Sequence, residues 1–346
     1  MENEKAILFY YEGQDEKTFL SGSRDDCNQP YADLRDYLST IGVKFEMTPR
    51  RPLEKYMYIC FYNMFSVRAF NLRSGLKRTV SRFLRGEGCQ SLYQRCLKKG
   101  LEDKMVLFLS EPESVVPENY PVNDHRNFRY VFTWSTKLLN YDQNRYKTFT
   151  IPAHFSSNVS HNIDFANKKL LVDISGNKCS KHPRQLYSAR RSDIQFFERN
   201  IPNHFDLYGF GWGDKRSYDK HSYTSYRGIV ESKKEVLQRY KFALCYENIL
   251  EESNYISNRI FDIFAAGCVP IYWGGRYISE FVWPSTFVNR ADFRSCEDLV
   301  KYIVSMNERQ HTSYLNDIQN YLTSSNAKQF GSKAFFENFA RTLQLK

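Results

Sequence analysis

Apolar and polar positions alternate along the chain so as to divide it into short strand-like runs separated by amphipathic helices. In the first half, AILFYYE (6–12), VKFEM (43–47), YMYICFYN (56–63), MVLFLS (105–110), RYVFTW (129–134) and KTFTIP (147–152) read as strands. They are short, rich in aromatic and β-branched residues, and bounded by polar turns. YADLRDYLSTIG (31–42) places apolar residues at 31, 34, 38 and 41, the spacing of one helical face. Residues 71–99 combine many Arg and Lys with apolar positions at helical spacing and predict amphipathic helices. HFSSNVSHNIDFANKK (153–168) is polar and aperiodic, the best candidate for a linker.

Beyond it the pattern becomes regular. KLLVDIS (169–175), KFALCY (241–246), CVPIYW (268–273) and TFVN (286–289) read as strands, and FDLYGFGWG (205–213) as a strand running into a glycine-rich turn. Helices are predicted at 184–200, 232–240 and 255–267, and near 296–307, 309–323 and 331–344. Strands alternating with helices predict a parallel sheet covered on both faces. Ligands of such sheets bind outside the carboxyl ends of the strands. Glu247 and Asn248 directly follow KFALCY, so the pattern puts them at that edge. In the next helix Ile256, Ile260, Ile263 and Phe264 form the apolar stripe, and Gly267 is placed to cap its end. Its N-terminus, near 254–257, is expected to aim free N–H groups at the same edge, a setting for phosphate, with Arg259 one turn in.

Composition narrows the picture. The 346 residues suffice for two domains, and 42% hydrophobic with 25% charged residues is the balance of a folded protein. No apolar run approaches the ~18–20 residues of a membrane-spanning helix. The opening MENEKAILFY lacks the features of a signal peptide, so a cytoplasmic protein is expected. Eight cysteines show no CxxC spacing and several lie in apolar runs, which predicts buried free thiols. There is no Asp-x-Asp and no HExxH, so a divalent metal is not expected to be essential. The net charge of +10 is dispersed, without a block of five basic residues. That argues against a nucleic-acid partner and leaves room for peripheral association with an anionic membrane.

The stretch YKFALCYENILEESNYISNRIFDIFAAGCVPIYWGG resembles the signature of the α1,3/1,4-fucosyltransferases. Tyr240, Lys241, Phe242, Leu244, Glu247, Asn248, Tyr255, Ile256, Gly267, Val269, Pro270 and Gly274 all fall in register with it. Order and context fit from about residue 105 to 290. The resemblance implies an α/β GT-B fold, two Rossmann-like domains facing a central cleft. Residues 1–160 would then bind the acceptor and 161–330 the nucleotide sugar, with a C-terminal helix at 331–346 that can pack back on the first domain. It implies an inverting transferase that moves L-fucose from GDP-fucose to a hydroxyl of a glycan, with α1,3-type linkage and no required cofactor. Animal members carry a membrane anchor; a chain without one looks like a bacterial or viral member.

The resemblance also assigns roles. LFLSEPES (107–114) is similar to the strand end that carries the family's catalytic carboxylate, which makes Glu111 the implied general base and Glu113 its fallback. Glu247, Asn248, Tyr255, Asn258 and Arg259 are implied donor-binding residues. Either Arg190 or Arg191 matches an arginine near the pyrophosphate; Arg190 precedes the apolar Ile194 by four and is favoured. The chain departs from the family where Thr-Glu-Lys becomes Ser257-Asn258-Arg259. Arg keeps the positive charge, whereas Asn258 loses a carboxylate that helps to hold the donor. Two alternatives therefore stand: a transferase of the same fold using another nucleotide sugar, and a carbohydrate-binding pseudo-enzyme.

Overall fold

The computed structural model describes residues 4–11, 14–20, 27–64, 91–159, 163–213, 221–251 and 253–345. The chain forms two compact units. One is built chiefly from Asn28–Thr150 together with Phe335–Lys346, the other from Ile151–Ala334.

The first unit holds a parallel sheet of six strands: β1 (Lys5–Tyr10), β2 (Val43–Glu46), β3 (Tyr58–Tyr62), β4 (Met105–Leu109), β5 (Tyr130–Thr133) and β6 (Tyr146–Thr148). Their order is β2-β1-β3-β4-β5-β6. Every residue of β4 is buried, as a strand covered on both faces requires. The C-terminal helix Ser332–Thr342 supplies part of that cover. Phe339 stacks on Phe108 at 5.9 Å and Phe132 at 6.0 Å, Phe335 lies edge-on to Phe149, and Phe336 stacks on Tyr37 at 4.4 Å.

The second unit holds a parallel sheet of β7 (Lys169–Ile174), β8 (Phe205–Tyr208), β9 (Tyr240–Tyr246), β10 (Val269–Trp273) and β11 (Val288–Asn289). The order is β11-β10-β9-β7-β8. Both sheets thus run second-first-third-fourth in their own numbering. Successive connections leave the first and third strands in opposite directions, which opens a crevice at their carboxyl ends. The switch points are β1/β3 in the first unit and β7/β9 in the second.

Several local expectations are corrected. The helix expected at 255–267 spans only Arg259–Ala265, because the Ser257 N–H is taken by the Glu247 carboxylate and residues 254–257 stay non-helical. The helix expected from 184 begins at Tyr187. Residues before it pair with the loop after β9: Leu250 N–H donates to the Arg184 carbonyl at 2.8 Å, and Gln185 bridges Ile249. The polar stretch 153–159 does not hang free. Ala153 N–H donates to Phe330 at 2.8 Å and Val159 N–H to the Gln319 side chain at 2.9 Å. The helices expected over 71–99 fall outside the described residues as far as 90, and Leu92–Lys98 is helical, opened by a Ser91–Gln94 capping box. Gly267 follows the helix end at φ +66°, where its N–H bonds Phe264 and that of Cys268 bonds Ile263.

Cys60, Cys96, Cys245, Cys268 and Cys296 are buried free thiols; Cys179 is exposed, and Cys89 lies outside the described residues. Among the described residues no helix is long and apolar enough to cross a membrane.

His311 is buried, with its ring Nε2 3.1 Å from the Lys241 carbonyl. Burial pulls its pKa down to about 4. The folded state therefore holds it neutral while the unfolded chain protonates it near pH ~6.5. Its contribution is complete above that value and is lost as pH falls toward 4, on the order of 3 kcal/mol in all. Urea unfolding at pH 7 and pH 5 is expected to show a smaller loss of stability for His311→Gln than for the wild type; equal losses would exclude this source.

Candidate active site

The second unit gathers four charges at the carboxyl ends of β7 and β9. Asp173 is the penultimate residue of β7, 1% exposed, and accepts a bond from the Ser175 hydroxyl. Arg190 comes from the first turn of helix Tyr187–Asn200 and is 3% exposed. Its Nη2 donates to the Gly176 carbonyl at 3.4 Å, and its guanidinium lies 5.4 Å from the Tyr187 ring centre. Glu247 directly follows β9 and is 1% exposed. Its backbone N–H donates to Trp273 at 2.8 Å, continuing the β9–β10 ladder, and its Oε1 accepts from Ser257 N–H at 2.9 Å. Arg259, the first residue of its helix, donates to the Tyr246 carbonyl.

Two carboxylates and two guanidiniums balance one another. Burial pushes the Glu247 carboxyl up, opposed first by Arg259 and then by the Ser257 bonds and Arg190. Burial likewise raises Asp173, opposed mainly by Arg190. It pulls Arg190 down to about 10 despite Asp173. Burial works against the Arg259 charge too, but Glu247 and its neighbours hold that group above its ordinary value. Removing one member of such a set leaves an uncompensated buried charge and costs about 3–5 kcal/mol.

The set is not saturated. Glu247 Oε2 and Arg190 Nε are buried and find no hydrogen-bond partner among the described residues. A buried orphan is rare in a folded protein and needs a reason. An acceptor and a donor at one sheet edge are the complement of a ligand carrying hydroxyls and anionic oxygens.

Neighbouring segments fix this edge. Tyr246 Oη donates to Asp193 Oδ2 at 2.6 Å, which also receives Arg290 Nε at 3.1 Å, while Cys296 Sγ donates to Oδ1 at 3.0 Å. One aspartate thereby ties the Arg190 helix, β9 and the residues after β11. Gly209, at φ +124°, lies so close to the Ser175 carbonyl that a Cβ would come within 1.9 Å of its oxygen. Trp212 Nε1 donates to the same oxygen at 2.7 Å. The GFGWG stretch thus closes the ends of β7 and β8 together.

Among the other expected residues, the Asn248 carbonyl accepts from Leu186 N–H at 3.3 Å, and Tyr255 is buried. Asn258 is half-buried at the N-cap of the Arg259 helix, and its side chain makes no capping bond. Arg191 donates to the Lys178 carbonyl and, at 3.4 Å, to Ser188 Oγ, whereas Arg190 acts on Asp173 and Glu247. In the first unit, Glu111 stands two residues beyond β4 and is half-buried. Its N–H donates to Asn63 Oδ1 at 3.1 Å; its carbonyl accepts from Asn119 Nδ2 at 3.0 Å and Tyr120 Oη at 3.2 Å. Burial first, and then the Glu111 charge, raises the pKa of Tyr11. Tyr62 is pushed up to about 12, mainly by burial, with Glu111 adding to it. Glu113 is half-buried in the same loop.

Residues 167–339, half of the chain, match the family model of glycosyltransferase family 10 (fucosyltransferase), C-terminal part. The chain belongs to glycosyltransferase family 10. Among its curated relatives is the alpha-(1,3)-fucosyltransferase FucT of Helicobacter pylori, 30% identical over 112 residues, or 32% of this chain and 22% of that protein. The matched stretch thus spans about a fifth of that relative's length. Among solved structures, an alpha1,3-fucosyltransferase with GDP-fucose superposes at a TM-score of 0.56 and 15% identity, over 98% of this chain and 90% of that one. Anabaena Alr3699/HepE in complex with UDP-glucose superposes at 0.55 and 12% identity, over 98% and 99%. These likenesses establish the fold: α/β of the GT-B type, with two Rossmann-like units.

Sequence reasoning about this family 10 member did not single out Asp173, Asp193 or Asn63. An acid inside the apolar run KLLVDIS was the available signal for Asp173; the other two reveal themselves only through tertiary contacts. Among the described residues no group of three or more His, Cys, Asp or Glu is arranged to hold a metal ion.

Gly274 tests the packing of the site. A Cβ there would come within 2.5 Å of Glu247 Cγ and of Tyr272 Oη, both buried. Gly274→Ala is expected to cost about 1–3 kcal/mol in denaturant unfolding, the usual penalty for overpacking. An unchanged unfolding midpoint would show that Glu247 is free to move.

Proposed function

We propose that this protein is an inverting fucosyltransferase that moves L-fucose from GDP-fucose to a hydroxyl of a glycan, with α1,3-type linkage. The observation that carries the reading is the unsaturated charge cluster at the β7/β9 switch point, where Glu247 Oε2 and Arg190 Nε stand without partners. The family membership and the GDP-fucose bound by one structural relative support the choice of donor.

In this reading the second unit binds the donor. Arg190 and Arg259 neutralise the diphosphate as it gains charge on leaving, the part a metal ion plays in other transferases. Glu247 accepts hydrogen bonds from donor hydroxyls through its open oxygen. Asn258 offers an uncharged amide beside it, and Asn248 and Tyr255 shape the wall of the pocket. The first unit binds the acceptor and supplies Glu111 as general base. Glu111 takes the proton from the acceptor hydroxyl, whose oxygen attacks C1 in line as the bond from C1 to the diphosphate oxygen breaks. Configuration at C1 is inverted, and GDP leaves.

A second reading, another nucleotide sugar on the same scaffold, is favoured by one observation. Asn258 stands where the resemblance places a glutamate, and the fold is shared equally well with a protein bound to UDP-glucose.

A thermal-shift panel of GDP, UDP, CDP, dTDP and GDP-fucose separates the two. A ligand that binds only the folded state raises the melting temperature by mass action. Selective shifts with GDP and GDP-fucose are expected. A selective shift with UDP would retain the transferase reading and overturn fucose as the donor.

A further inference from the structure

Asn63 stands at the carboxyl end of β3, at the switch point of the first sheet, and is 0% exposed. Its φ is +62°; among the described residues only Gln344 is another non-glycine residue with positive φ. That left-handed conformation is uncommon for a residue with a side chain, and Asn tolerates it best. Strain of this kind persists where the surroundings dictate it, and it concentrates at functional sites.

The surroundings here are specific. Asn63 N–H donates to the Phe108 carbonyl at 2.8 Å, joining the end of β3 to β4. Its side-chain Oδ1 accepts three bonds: from Ser110 N–H at 3.0 Å, Glu111 N–H at 3.1 Å and Asn119 Nδ2 at 2.8 Å. Its Nδ2 donates to Ser110 Oγ at 2.8 Å. Asn119, also 0% exposed, returns its own Nδ2 to the Glu111 carbonyl at 3.0 Å and receives Met64 N–H on Oδ1 at 2.8 Å. The peptide groups on both sides of the Glu111 Cα are therefore held by two buried amides that hold each other. The arrangement closes the end of β3 onto the end of β4. It fixes the backbone of one half-buried carboxylate.

We propose that Asn63, with Asn119, is a positioning residue for Glu111: it sets the carboxylate in line with the acceptor hydroxyl without touching substrate. This rests on the reading of Glu111 as general base. A carboxylate misplaced by about 1 Å loses up to 100-fold in rate.

The experiment compares four variants with the wild type by GDP release from GDP-fucose, with a galactosyl-N-acetylglucosaminide and with water alone as acceptor. Asn63→Gly tolerates the positive φ and removes the amide. It is expected to lower kcat by about 10- to 100-fold with the donor KM unchanged. Asn63→Asp keeps the acceptor oxygen, so the loop stays in place and the plateau kcat is retained within about threefold. Its added negative charge raises the Glu111 pKa, so the acid limb of the pH–rate profile moves to higher pH. Glu111→Gln is expected to be inactive, and Asn63→Gly/Glu111→Gln no worse than Glu111→Gln alone, because both act through one group.

Asn63→Gly with kcat within about twofold of wild type, or an unmoved acid limb in Asn63→Asp, overturns the positioning role while an inactive Glu111→Gln keeps the base assignment. An active Glu111→Gln overturns the base assignment and this proposal with it. Should Asn63→Gly melt below the assay temperature, the acid limb of Asn63→Asp decides alone.

Discussion

The rest of the second unit depends on the mutual compensation of Asp173, Glu247, Arg190 and Arg259. Each charge alone would be expelled from such a site, since effective desolvation costs several kcal/mol per ion. Together they are tolerable only if the backbone brings them to one edge and keeps them there. That requirement explains features that are otherwise unrelated. Gly274 leaves room for Glu247 against Tyr272, and the Ser257 N–H is spent on the carboxylate rather than on a longer helix. Asp193 ties Tyr246 and Arg290 together, and so locks β9 to the helix that presents Arg190. The cluster is balanced in charge, yet Glu247 Oε2 and Arg190 Nε find no hydrogen-bond partner among the described residues.

The two units solve different problems with one topology. Each sheet reverses direction beside its first strand, and the residues proposed for chemistry follow strands at the carboxyl edge of their sheet. In the second unit the result is a rigid set of buried charges. In the first it is the half-buried Glu111, whose peptide groups are held by the buried amides of Asn63 and Asn119.

Much of this was legible in the sequence because it follows from local pattern. Apolar runs mark the strands to within a few residues, and the rule for parallel sheets places Glu247 at a carboxyl edge. Helical spacing favoured Arg190 over Arg191, and the fold buries Arg190 in the cluster while Arg191 bonds the Lys178 carbonyl. What was not legible rests on long-range contacts. The helix at Arg259 starts late because Glu247, ten residues earlier, captures the Ser257 N–H. The helix at Tyr187 starts late because Arg184 and Gln185 pair with residues more than sixty positions away. Asn63 looks like an ordinary polar residue after a strand. Its left-handed backbone and its grip on Glu111 exist only once β3 and β4 are side by side.

The central claim is that the buried charge cluster receives a nucleoside diphosphate. Calorimetric titration of GDP and of guanosine into the wild type and Arg259→Met, with the fold of each checked by circular dichroism, tests it most directly. A charge-assisted hydrogen bond contributes about 1.5–3 kcal/mol, so GDP affinity should fall at least about tenfold in the variant. Guanosine, which lacks the diphosphate, should bind both proteins alike. GDP binding that is absent in the wild type, or unchanged in Arg259→Met, would contradict the account.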